Sequence, residues 1–228
     1  MSTTIPGITV IDRVPLRDQC RQALRGLINS NALKAGELHS IGSVADQLGV
    51  SITPVREALL DLAGDGLIVM ERNRGFRVVR LTDDDLDELV EMRILLEVPT
   101  VARVASLVPP PDLSDLRDLA NEIVKCAASG DMVTFLTLDR ELHLRILERA
   151  GNGRLVRAVG LLRDQTHLYG LEKVVGTEEF HHSAAEHPEL LDLIEAGDAE
   201  GAAALMHRHL LHTRGLWAGR AEDDGTES

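Results

Sequence analysis

The sequence predicts a mainly α-helical protein of two unlike parts: a winged helix-turn-helix unit over residues 1–81 and an all-α unit over 82–220. Three observations carry this. Apolar residues recur at three- and four-residue spacing through most of the chain. One pair of β-prone runs, 67–71 and 76–79, interrupts that pattern. The charge also changes sign: residues 1–80 hold ten Lys/Arg against eight Asp/Glu, whereas 81–228 hold fourteen against twenty-nine, within a net charge of -13.

The composition excludes several classes. With 44% hydrophobic residues in 228, the chain buries a core and is not disordered as a whole. No apolar run approaches the roughly 18 residues that span a bilayer, and the N-terminus lacks the charged and apolar regions of a signal peptide. The expectation is a cytoplasmic protein with no membrane partner. Cys20 and Cys126 are too few for a disulfide framework and are not spaced as a metal knuckle. Five aromatic residues argue against a stacking surface for RNA bases.

The first helix starts at Pro15, with Leu16, Cys20, Ala23, Leu24, Leu27 and Ile28 on one side and Arg17, Arg21 and Arg25 on the other. After Ala35-Gly36 comes an extended piece, then a compact helix over Ser43–Leu48 and a connection Gly49–Ile52. Thr53 as N-cap and Pro54 in the first helical position open the next helix, which stops at Gly64-Asp65-Gly66. Two short helices joined by a glycine-containing turn, with hydroxyl and guanidinium groups opening the second, suit the major groove. The hairpin that follows has a basic tip, Arg72-Asn73-Arg74-Gly75. Its Arg72, Arg74 and Arg77 are placed for phosphate contacts, and Gly75 for close approach of the backbone. A mildly basic unit can approach phosphates, while the acidic remainder is repelled by them.

The stretch Leu48-Gly49-Val50-Ser51-Ile52-Thr53-Pro54-Val55-Arg56-Glu57-Ala58-Leu59, with Gly66-Leu67-Ile68 and Arg74-Gly75-Phe76-Arg77-Val78, closely resembles the DNA-binding domain of the GntR family of bacterial regulators. The resemblance implies DNA contacts from Ser51, Thr53, Arg56, Arg74 and Gly75. Two residues depart from it: Ile52 stands where most members carry arginine, and Gly42 where a basic residue is usual. The operator sequence therefore cannot be borrowed from relatives.

In the acidic part Thr82, followed by Asp83, Asp84 and Asp85, caps a helix and complements its dipole. Helices are expected over 83–107, 112–129, 131–149, 153–170, 187–196 and 198–217, with stops at Pro109–Pro111, Gly130, Gly151 and Gly197. Asn152 reads as the N-cap of the fourth. The acidic tail 221–228 reads as disordered.

The chemistry lies on the inner faces. The stripe Met132, Leu136, Asp139, His143, Ile146, Ala150 puts an acid and an imidazole on a buried face, which is costly unless they are paired or metal-bound. Spaced four apart and about 40° offset, Asp139 and His143 can chelate one ion. The stripe Ala202, Met206, His209, Thr213, Leu216 does the same for His209, and His187 precedes Pro188 at the expected start of a helix. Taken singly, each histidine reads as a hydrogen-bonded core residue and Asp139 with His143 as a helix ion pair. As a set, Asp139–His143, Ala150–Asn152, Glu186-His187, Gly197-Asp198 and Met206–Leu210 resemble the C-terminal ligand-binding domain of the FadR subfamily, an antiparallel helical bundle. The resemblance implies a divalent metal held by Asp139, His143, His187 and His209. Zinc is the first choice for three imidazoles and a carboxylate, with nickel or another late first-row ion as alternatives.

These features lead to one expectation: a homodimeric transcriptional regulator, a repressor, that binds palindromic double-stranded operator DNA and responds to a small carboxylic acid at the metal. Arg93, on the apolar stripe with Leu86 and Val90, is the first candidate to pair with that acid, with a structural pair to Glu97 as the equal alternative. Arg163, near Thr166, is the second. The alternative class is a metal-dependent hydrolase with an accessory DNA-binding domain. Against it, Glu186 points about 100° away from His187 on a helix, and no nucleophile motif or phosphate loop is present. A third possibility is a purely structural metal that stiffens the bundle.

Overall fold

The computed structural model describes residues 14–166 and 177–218. The expected tail 221–228, and the part of the expected helix 153–170 beyond 166, lie outside the described residues.

Helix α1, Leu16–Asn29, turns Cys20, Leu24 and Ile28 inward. Strand β1, Leu38–His39, is followed by α2, Ile41–Leu48. The Ser40 hydroxyl accepts from the Ser43 amide, so α2 begins two residues before the expected Ser43. Helix α3, Ile52–Gly64, follows Ser51, whose extended backbone (φ -69, ψ 159) marks it as the N-cap. Thr53 is therefore inside the first turn and not the cap. Pro54 sits there at no cost, because first-turn amides have no intrahelical partner.

Strands β2, Ile68–Glu71, and β3, Gly75–Val78, form the hairpin, and the sheet order β1-β3-β2 adds the Leu38–His39 strand to its far edge. Glu71 pairs with Gly75 and Ile68 with Val78, leaving Arg72, Asn73 and Arg74 as the tip, with Asn73 in the left-handed region (φ 60). Gly75 has its own reason to be glycine. At φ +129, a Cβ there would lie 2.0 Å from the His39 carbonyl oxygen, so a side chain would push β1 off β3. Leu24, Val55, Leu59, Leu62 and Phe76 are the centre of the apolar cluster under these elements.

The second cluster fills a bundle of six helices among the described residues. These are α4, Asp83–Ala105; α5, Ser114–Ser129; α6, Met132–Glu148; α7, Gly153–Thr166; α8, Glu178–Glu195; and α9, Ala199–Ala218. Thr82 and Asp85 form a full capping box at the start of α4. Asp131 caps α6, and the Asn152 side chain accepts from the amides of Arg154 and Leu155 to open α7. Helix α4 packs on α9 and α7, α5 on α6 and α8, and α8 on α9, around Leu86, Ile123, Leu142, Leu191 and Leu210.

In the bundle one expected boundary fails by more than two residues. Helix α8 starts at Glu178, not 187, and runs through Pro188. Proline removes the amide that would bond the carbonyl of Ala184 four residues back. The His187 ring supplies the missing donor: its Nδ1 lies 2.9 Å from that oxygen. Among the described residues no helix is long and apolar enough to cross a membrane.

Candidate metal centre and DNA-reading surface

Asp139 and His143 come from α6, one turn apart, His187 from α8 and His209 from α9. All four are buried, and each offers a ligand atom within 4.8 Å of the others. His187 Nε2 lies 3.0 Å from Asp139 Oδ1 and 3.3 Å from His143 Nε2, which is 3.7 Å from the same carboxylate oxygen. Separations of this size are what bonds of roughly 2.0–2.2 Å to a shared ion produce.

The hydrogen bonding also fits a cation. His187 faces acceptors at both ring nitrogens, Ala184 O and Asp139 Oδ1, while a neutral imidazole has one N–H. The two Nε2 atoms of His143 and His187 face each other and can share one proton at most. An ion between these lone pairs satisfies all of them. The ionisation states agree: burial, reinforced by the Arg163 charge, holds His143 well below the usual imidazole range, and burial lowers His209 too. Burial opposes ionisation of Asp139, but the imidazoles and Arg163 outweigh it and keep the carboxyl well below the usual carboxylate range. Neutral imidazoles and an ionised carboxylate are the forms that bind metal.

A ring of charge lies behind the four. Arg163 bonds Asp139 Oδ2 through Nη1 at 2.9 Å and Glu97 Oε2 through Nε at 3.2 Å. Arg93 donates through Nε to Glu97 Oε1 at 2.8 Å, so the pair one helical turn apart is formed. Arg93 itself is 2% exposed.

On the other unit, Ser51, Thr53 and Arg56 are exposed at the opening of α3, as are Arg72 and Arg74 at the hairpin tip. Gly75 is half-buried beneath β1. Arg77 does not stand free for phosphate: it bonds Glu71 at 3.3 Å and the Gly36 carbonyl. Ile52 is 50% exposed and presents an apolar side chain at the start of the helix.

Residues 16–78 match the family model of bacterial regulatory proteins of the gntR family, and residues 88–212 match that of the FCD domain. The HTH-type transcriptional regulator McbR of Escherichia coli is 30% identical over 86% of this chain and 90% of its own. The chain belongs to the GntR family. This GntR chain is thus a DNA-binding transcriptional regulator with a C-terminal FCD domain, not an enzyme. The solved structure of E. coli McbR/YncC superposes with a TM-score of 0.81 at 27% identity, over 91% of this chain and 99% of that one. The regulator LutR of Bacillus subtilis is 23% identical over 87% of this chain and 99% of its own.

Several residues of the GntR chain's site were not legible in its sequence. Glu97 is one turn from Arg93, but its second bond, to Arg163, crosses 66 residues. Glu186 accepts from His209 Nδ1 at 2.8 Å across 23 residues. No local spacing encodes either contact. Asp164 is a third: it bonds Arg140 at 2.8 Å and pairs with Arg25 of α1 at 2.8 Å.

Proposed function

We propose that this GntR regulator acts as a homodimeric repressor of palindromic operator DNA, and that a small carboxylic acid bound beside a divalent metal relieves repression. The supporting observation is the buried charge. Arg93 and Arg163 balance Glu97 and Asp139, and the imidazoles that titrate low are neutral. A divalent ion on Asp139, His143, His187 and His209 therefore adds positive charge that these four groups do not compensate and that Glu186 behind His209 offsets only in part, which favours an arriving anion. The guanidinium of Arg93, whose Nε is committed to Glu97, is the proposed partner of its carboxylate. Arg163, tied to both Asp139 and Glu97, takes the supporting role of fixing the carboxylates. Zinc is the first candidate and nickel the next; such an ion supplies Lewis-acid positions for a carboxylate or hydroxyl oxygen.

Two routes lead from this site to the DNA-reading unit. One is the linker at residues 80–82. The other is the last turn of α7: Arg163 faces the site, Asp164 pairs with Arg25, and Gln165 Nε2 donates to the Asp65 carbonyl at 2.9 Å. Asp65 is the C-cap of α3, and its carboxylate accepts from Arg25 at 2.8 Å. A Cβ on the next residue, Gly66 (φ +75), would lie 2.6 Å from Gln165 Nε2, so the contact is close. Ser51, Thr53, Arg56 and Arg74 are the proposed readers of base edges and phosphates, two copies reading two half-sites about one helical turn apart. An effector shifts operator affinity only by the amount it distinguishes the two arrangements.

The test pairs metal analysis with operator binding. Purified protein is expected to hold about one late transition metal per chain, lost in His143→Ala and His209→Ala. Organic acids screened on the loaded protein should weaken operator binding, and Arg93→Ala should remove the response. An acid that binds while operator affinity stays constant leaves a structural metal. No metal after zinc and nickel are supplied sinks the site reading and leaves DNA binding intact.

A further inference from the structure

We propose that Glu186 and Pro188 are positioning residues for the two ligands His209 and His187, holding the proton on Nδ1 of each ring so that Nε2 faces the cluster. The proposal rests on the reading of the four clustered residues as metal ligands. A neutral imidazole carries one proton, and the hydrogen bond made by one nitrogen decides whether the other has a lone pair to offer.

For His209 the decision is made by a carboxylate. Glu186 is 2% exposed, and its Oε2 accepts from Nδ1 of His209 at 2.8 Å. Its other oxygen is held by Arg208 Nε at 3.3 Å and lies 3.1 Å from His212 Nδ1, so the carboxylate cannot turn away cheaply. A proton held on Nδ1 by Glu186 puts the lone pair of His209 on Nε2, the nitrogen proposed to serve the cluster.

For His187 the acceptor at Nδ1 is a backbone carbonyl that proline leaves open, and with Asp139 engaged by an ion that carbonyl would be the one left to hold the ring's proton. Residue 188 has no amide hydrogen, so the Ala184 carbonyl, which a regular helix would bond from position 188, is left open. A buried carbonyl without a donor is costly. The ring three residues on takes it, at 2.9 Å, through Nδ1. The tripeptide Glu186-His187-Pro188 thus contains one ligand, the device that orients it, and the acceptor that orients a ligand on the next helix. His143 follows the same plan more loosely, with Nδ1 3.8 Å from Glu97 Oε2.

A proline kept for this purpose has an unusual signature: replacing it should strengthen the helix and weaken the site. In the full chain, Pro188→Ala regains a helical amide, which takes the Ala184 carbonyl back from His187. Metal-free Pro188→Ala is expected to melt no lower than wild type, yet to bind zinc on the order of fivefold more weakly, about one net hydrogen bond. Glu186→Leu should weaken zinc binding by about 10–100-fold. Glu186→Gln, whose amide oxygen can still accept from Nδ1, should recover much of that loss. Nitrogen-15 spectra of the metal-free protein should show His209 protonated at Nδ1 in wild type, and the preference lost in Glu186→Leu.

The outcomes separate cleanly. Wild-type protein that takes up neither zinc nor cobalt overturns the ligand reading and this inference with it. Wild-type protein that binds zinc, with Glu186→Leu and Pro188→Ala binding within twofold of it, overturns this inference alone. A Glu186→Leu loss that the glutamine variant fails to rescue, with the His209 proton unmoved, assigns Glu186 to packing and also overturns it.

Discussion

The two parts of the molecule bury opposite kinds of side chain. Among the described residues before Thr82 none of the fully buried side chains is charged; Leu24, Val55, Leu59 and Phe76 close the core, and the arginines lie at the surface or in part-exposed pairs. The bundle buries Arg93, Glu97, Asp139, His143, Arg163, Asp164, Glu186, His187 and His209. Apolar burial stabilises unconditionally, at about 25 cal/mol per Å². Buried charge recovers its desolvation cost only when every partner is in place. The stability of the DNA-reading unit should therefore be independent of small molecules, and that of the bundle conditional on them.

The sharpest way to break this comparison is to strand charge in the bundle. Glu97→Ala leaves two buried guanidiniums without their shared carboxylate and should cost about 3–5 kcal/mol. Hydrogen exchange should lose protection in α4, α6 and α7 while α1–α3 keep theirs. Equal loss in both parts would show one cooperative unit in place of two regimes. The matching cut in the other unit, Leu59→Ala at a fully buried position, should cost about 2–5 kcal/mol whether or not metal is present. Rescue of that variant by zinc, read from its unfolding free energy, would contradict the comparison.

Ligand linkage sharpens it. Zinc at a hundred times its dissociation constant should raise stability by about 2.7 kcal/mol, with new protection in α6, α8 and α9 and none in α3. His143→Ala should abolish the gain. Arg56→Ala should weaken operator binding by about 1–3 kcal/mol and leave zinc affinity unchanged, measured by titration of each ligand.

The smallest effect is expected at the bundle's surface. Hydrogen bonds from Arg149 and Arg145 hold Asp115 below the usual carboxylate range, but the side chain is 40% exposed, so Asp115→Asn should cost under about 1 kcal/mol. Because the folded value is depressed, this contribution is present above the unfolded carboxyl pKa and lost as pH falls through the folded one. Wild type and variant should therefore converge in acid melts.

Much of the fold was legible because its punctuation is local. Thr82 with Asp85, Asp131 and Asn152 announce helix starts through bonds that span three residues or fewer. Asp139 and His143 were legible for the same reason, being one turn apart. Pro188 misled because a proline ordinarily opens a helix or breaks it, and its tolerance inside α8 depends on where the His187 ring turns. Ser51 displaced Thr53 as cap because two hydroxyl residues separated only by Ile52 fit the same signal, and backbone geometry alone chooses. The outer partners Glu97 and Glu186 were illegible because their contacts join helices far apart in the chain.

The closeness of Gln165 to Gly66, and of Arg25 to Asp65 and Asp164, bears on how this regulator can be recombined. A chimera that borrows residues 14–80 from a relative would inherit the relative's base preferences. Without an arginine, an aspartate and a glycine at the three seam positions, it would lose the contacts through which the proposed effector signal reaches α3. Portable specificity in such proteins is thus a matter of matching the seam as well as the reading head.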